Sequence, residues 1–281
     1  MIDPAAVALR FAVYLSLSLV FGTAAYAWIE RRRQARAAPA LLLLAALAAS
    51  AASLVILVAS MGGVPPLPVD RALLRTVLGE TTVGTAFLVR FAALGGAVLA
   101  LTLPRGREPL VAIGSGVALA SLAWTGHGAL HDGIAGAAHL ASTVIHLLAA
   151  GVWIGGIAGL LHGLHRPGAP DALRRFARIG TIVVALLAAT GIANLAFVVG
   201  IARLGDLPDT AYGRLLLVKL AGFAGMLALA AVHRWHFVPR LHGAPDGHPP
   251  AALRATLTAE LLFALTILAI VAALGTLAPD A

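Results

Sequence analysis

Eight apolar runs of about 20 residues, separated by short polar stretches, constrain this chain more than any other feature in it. They cover Pro4–Ile29, Pro39–Ser60, Thr81–Leu103, Pro109–Thr125, Gly136–Leu161, Leu173–Gly200, Gly213–Val232 and Leu253–Leu277. A helix needs ~20 residues to cross a ~30 Å hydrocarbon core, and within lipid the backbone is satisfied only in helices or closed barrels. Barrel strands are about half that length. The chain is therefore expected to be all-α, a polytopic helical membrane protein with eight transmembrane helices in one transmembrane domain over residues 1–281. With 60% hydrophobic and 11% charged residues, little is left for a soluble domain. The first run lacks a basic start and leads into Glu30-Arg31-Arg32-Arg33-Gln34-Ala35-Arg36, so it reads as a span rather than a cleaved signal peptide. No internal repeat stands out.

The net charge of +8 does not point to nucleic acid, because the arginines are sorted between loops. Thirteen lie in the odd-numbered connections: Arg31, Arg32, Arg33, Arg36, Arg105, Arg107, Arg166, Arg174, Arg175, Arg178, Arg234, Arg240 and Arg254. The even-numbered connections hold four: Arg71, Arg75, Arg203 and Arg214. The positive-inside rule places the odd connections in the cytoplasm and both termini outside. Cysteine is absent, which excludes disulfides and thiolate metal sites. Neither a Walker A loop nor an Asp-Lys-Thr-Gly stretch is present, so ATP-driven chemistry, and enzyme activity generally, is not expected.

The polar residues within the spans are the candidates for function, since ionisable groups in lipid are costly. His139, His146 and Trp153 recur every seventh position and share a helix face with Ser142 and Thr143. The opposite face carries Gly151, Gly155 and Gly159, a small-residue ridge suited to close packing against another helix. His139 lies about one turn below the outer surface and His146 about 15 Å down. Above them the external loop carries His127, His131 and Asp132. These imidazoles can coordinate a metal, bind haem axially or relay protons; the plainer alternative is that each hydrogen-bonds a neighbouring helix. Met61 and Met226 would favour copper(I) as ligands, although methionine more often packs. Asn194 sits in the outer part of the sixth run with Thr190 one turn away. Tyr212, Lys219, Met226 and His233 form another every-seventh series. Lys219, the one lysine, either snorkels to the headgroups or faces the bundle interior near Asn194 or Glu80. Arg90 is too deep to snorkel and is expected to have a partner, and Trp153 is expected to be a core or floor residue. Glu260 stands apart, near the arginine-rich end of the last run. His162, His165, His236, His242 and His248 lie in basic loops and read as solvated.

At these residues the sequence resembles a known family. His146-Leu-Leu-Ala-Ala-Gly-Val-Trp153-Ile-Gly155-Gly156, Leu173-Arg-Arg-Phe176-Ala-Arg-Ile179, Thr190-Gly191-Ile-Ala-Asn194 and Tyr212-Gly213-Arg-Leu-Leu-Leu-Val-Lys219-Leu occur in the order of the copper-resistance D (CopD) family core, over about residues 136–240. The resemblance implies a bacterial inner-membrane protein, for which the outside termini of the arginine count are periplasmic. It also implies copper ion handling, usually described as transport, often beside a periplasmic CopC-like copper carrier. On that reading copper passes His127 and His131 and is held by His139 and His146, with Lys219 and Arg90 in structural pairing or gating. The alternatives from other classes are a copper sensor or assembly factor without transport, and a b-type cytochrome with histidine-ligated haem b.

Overall fold

The computed structural model describes residues 3–125, 133–166, 168–237 and 251–277. Nine α-helices follow in order among them: α1 (Pro4–Ile29), α2 (Ala37–Gly62), α3 (Arg71–Glu80), α4 (Thr82–Ala100), α5 (Arg107–Ala120), α6 (Gly133–Gly163), α7 (Ala169–Val198), α8 (Ala211–Val232) and α9 (Ala251–Leu274). A 3₁₀ turn, Ser121–Thr125, prolongs α5, and a second 3₁₀ segment, Ile201–Asp209, leads into α8. All the described regular structure is helical, and eight helices are long and apolar enough to cross a membrane. They match the eight apolar runs. The ninth helix, α3, lies in the connection between the second and third runs: it is short, polar on one side, and docks through the buried Val77.

The spans form two half-bundles. One core joins Leu17 of α1, Leu43 of α2, Leu94 of α4 and Leu119 of α5; another joins Trp153 of α6, Val183 of α7, Met226 of α8 and Leu257 of α9. They meet where α1 crosses α6, the most extensive helix contact. Lipid provides no hydrophobic drive for this contact, so close approach and dispersion must provide it. A Cβ on Gly22 would stand 1.9 Å from the carbonyl oxygen of Gly151, and one on Gly155 would stand 2.1 Å from the carbonyl carbon of Gly22. The expected glycine ridge of α6 thus lies against α1.

A repeat that does not stand out in the sequence emerges from the helix order. A shift of 129 residues carries Pro4, the start of α1, onto Gly133, the start of α6, and Thr82, the start of α4, onto Ala211, the start of α8. The same shift superposes Thr81 on Thr210, Gly84 on Gly213, Val89 on Val218 and Arg90 on Lys219. Both threonines cap their helices alike, each Oγ1 accepting from the glycine amide at 2.9 Å. Both glycines are pressed against the preceding short helix, where a Cβ would meet the Val77 or the Leu207 carbonyl oxygen at 1.9 Å. Gly22 maps onto Gly151, the residue it touches. Contact between equivalent residues is what a two-fold axis produces. Two repeats, each opening on a long span and sharing a capped helix after a short one, account for these correspondences.

Candidate metal-binding seam between α6 and α7

The histidine face of α6 lies against α7, and the pairing is set by an antiparallel register. The His139 ring stacks on Phe197, with centroids 4.8 Å apart and planes 17° apart, and His139 is 1% exposed. Seven residues on, His146 Nδ1 stands 2.9 Å from Thr190 Oγ1, which is seven residues back along α7. Between these levels, Ser142 donates to the Thr190 carbonyl at 3.3 Å. Below them Trp153 is buried in the core beside Phe176, its Nε1 lacking a hydrogen-bond partner.

Proton counting at Thr190 fixes the state of His146. The hydroxyl has one hydrogen, and it is donated to the Leu186 carbonyl. Thr190 Oγ1 must then accept from His146 Nδ1–H. In the neutral ring this leaves the Nε2 lone pair as the free acceptor, the form in which imidazole binds a metal. Asn194, one turn from Thr190, has a buried Oδ1 with no hydrogen-bond partner. An unmet amide oxygen costs about 1–3 kcal/mol, and such atoms call for a ligand or a role. Lys219 reaches the seam from α8, close enough to act electrostatically on His146. Its side chain is half-buried.

The remaining candidates lie elsewhere. Met61 is 56% exposed near the end of α2, in the N-terminal half. Glu80 is exposed at the last residue of α3, also in that half, so it does not partner Lys219. Tyr212 is buried with Val199, Leu207, Leu216 and Leu274, packing the 3₁₀ segment onto α8. Arg90 is 1% exposed: its Nε donates to Ser121 Oγ at 2.9 Å, the Phe87 ring lies 4.6 Å away, and Nη2 is buried without a partner. The partner expected for Arg90 is thus a hydroxyl and a ring face rather than a carboxylate. His127 and His131 lie outside the described residues. Among those described, no three His, Cys, Asp or Glu side chains converge as a metal cage. Phe197 is not among the residues singled out from the sequence, although Thr190-x6-Phe197 repeats the spacing of His139-x6-His146.

Comparison with known proteins agrees with this division into halves. Residues 1–137 match the model of the copper resistance protein D-like N-terminal domain, and residues 170–274 match that of copper resistance protein D. Most of α6, including His139 and His146, falls between the two matched spans. Copper resistance protein D of Pseudomonas syringae pv. tomato is 32% identical over 305 residues, covering 99% of this chain and 98% of that protein. Inner membrane protein YebZ of Escherichia coli K12 is 29% identical over 291 residues, covering 97% and 98%. Copper transport protein CutJ of Bacillus subtilis 168 is 30% identical over 194 residues, which is 62% of this chain and 34% of that protein. No solved structure matches. With an apolar eight-helix bundle and full-length similarity of this kind, the chain belongs to the copper resistance protein D family, and it is a multi-pass protein of the inner membrane.

Proposed function

We propose that this protein binds copper ions in the α6–α7 seam and passes them across the inner membrane from the periplasmic side, without catalysing a covalent reaction. The observation that carries this reading is the hydrogen bond of His146 Nδ1 to Thr190, which leaves Nε2 a lone pair in the neutral ring, with the orphaned Oδ1 of Asn194 one turn from Thr190 on the same helix. His139 adds a second imidazole in the same seam. Imidazoles two turns apart, about 10.5 Å along α6, are successive loose holding points rather than one closed cage, as release during transport requires. Imidazole alone does not choose among copper, zinc, iron and nickel; the family relation favours copper, and favours it over haem. Lys219 beside His146 opposes the entering cation and would set the affinity. His127 and His131 are the proposed entry, and a CopC-like carrier a fitting source.

The test is copper stoichiometry of purified protein. His146→Ala is expected to abolish most high-affinity copper binding and His165→Ala to leave it intact. Folded His146→Ala protein that binds copper with unchanged affinity would sink the site. The proposed orientation has its own check: a reporter fused after Ala281 is expected to report the periplasm.

A further inference from the structure

A second titratable cluster lies at the arginine-rich end, about 21 Å further along α8 than Lys219 at 1.5 Å per residue. His233 follows α8 and opens a π-turn, His233–Phe237, a distortion frequently found at functional sites. It is 7% exposed, and Glu260 on α9 is 2% exposed. His233 Nδ1 stands 2.9 Å from Glu260 Oε2, and Nε2 stands 2.8 Å from Thr256 Oγ1. The Thr256 hydroxyl donates its single hydrogen to the Ala252 and Leu253 carbonyls, so it accepts from Nε2–H.

The Nδ1–Oε2 contact then needs one more proton. It resides either on the ring, as imidazolium against carboxylate, or on Glu260, as a neutral acid against a neutral ring. Both forms are neutral overall and hold one exchangeable proton. Removing it would leave a carboxylate facing a ring lone pair, in an interior that penalises uncompensated charge. The Phe237 ring lies 6.1 Å from that of His233, and Leu253 and Leu257, on the same helix as Glu260, are buried. Charged groups on the surrounding elements are engaged elsewhere. Arg254 of α9 contacts His165 at 3.5 Å, and Arg234 donates to the Ala177 carbonyl of α7. Just after α1, Glu30 is held by Arg175 of α7. His236 sets its ring edge-on to Phe237.

We infer that His233 and Glu260 form a proton-binding site, loaded from the arginine-rich side, and that copper passage through the C-terminal half is coupled to movement of its proton. The coupling rests on the transport reading above; the proton site rests on the geometry. The mechanical link is α8, which carries Lys219 toward the copper seam and His233 at its other end, on one face. A shift of this helix alters both places together.

The experiment uses the full chain in vesicles loaded with a pH-sensitive dye, with copper added outside as Cu(I) under reductant and separately as Cu(II). Wild-type protein is expected to move copper and protons in a fixed ratio. Glu260→Gln keeps the shape of the pair but cannot release the proton; it is expected to keep wild-type copper stoichiometry and lose at least tenfold in copper-dependent proton flux. Copper movement without proton movement in wild-type protein, or unchanged proton flux in Glu260→Gln, overturns the inference and leaves the copper reading standing. Copper binding without copper movement overturns the transport reading and the coupling with it. Should Glu260→Gln fail to fold, Glu260→Asp serves with infrared difference spectra across a pH step. A carboxyl band that shifts between wild type and Glu260→Asp supports the proton site, and identical spectra refute it.

Discussion

Leu17 and His146 occupy equivalent positions in the two repeats, one in a dry core and the other in a polar seam. Leu17 is fully buried among the leucines and alanines of α1, α2, α4 and α5. The same shift carries Arg10 onto His139, Met61 onto Thr190 and Pro65 onto Asn194, so no other member of the seam has a like residue in the N-terminal half except Lys219, matched by Arg90. Packing differs in step. Of the most apolar window in α7 and α8, 17% and 11% is buried, against 28% and 39% in α2 and α4. α2 packs on α1 as α7 packs on α6, but α2 also packs on α4, and the equivalent packing of α7 on α8 is slight. One repeat is closed and apolar; the other is looser and lined with donors and lone pairs. The lesson is that a repeated scaffold can hold its shape in one copy and carry the polar cost of function in the other.

The contrast can be broken first at the axis. Gly155→Leu is expected to cost about 3 kcal/mol or more, since its side chain would run into the backbone of Gly22, which cannot rotate away. Gly95→Leu, in a position with open space around it, is the control and should fold. Equal thermal stability of the two variants in detergent would remove the axis from the argument.

A smaller effect separates the two cations. Lys219→Met should tighten copper binding by about tenfold, or ~1.4 kcal/mol, by removing a positive charge beside His146. Arg90→Met, at the equivalent place in the dry half, should leave copper affinity unchanged. Titration of the two variants side by side would show whether only one half handles the metal.

The smallest effect tests where the halves agree. Thr81→Ala and Thr210→Ala each remove one N-cap bond and should each cost about 1 kcal/mol. Costs differing by more than a capping bond would count against equivalence of the repeats.

Much of the fold was legible before any coordinates. Span number and limits follow from local transfer energies, which depend only on the residues within each run. The faces of α6 follow from helical periodicity, so the glycine ridge and the histidine stripe could be read from Gly151, Gly155, His139 and His146 alone. Arg90 could be recognised as needing a partner from its depth, though not which partner.

The tertiary structure decided what depends on register between distant segments. His146 and Thr190 are 44 residues apart, and the tautomer of one follows from the hydroxyl of the other. No local preference of either helix encodes that meeting. His233 and Glu260 likewise belong to distant segments, and only packing of α8 on α9 made them a hydrogen-bonded pair. The repeat was hidden for a related reason. Lipid-facing positions accept any apolar residue, so the shared pattern survives at caps, crossing glycines and one buried cation, and the fold is what shows those scattered positions to be equivalent.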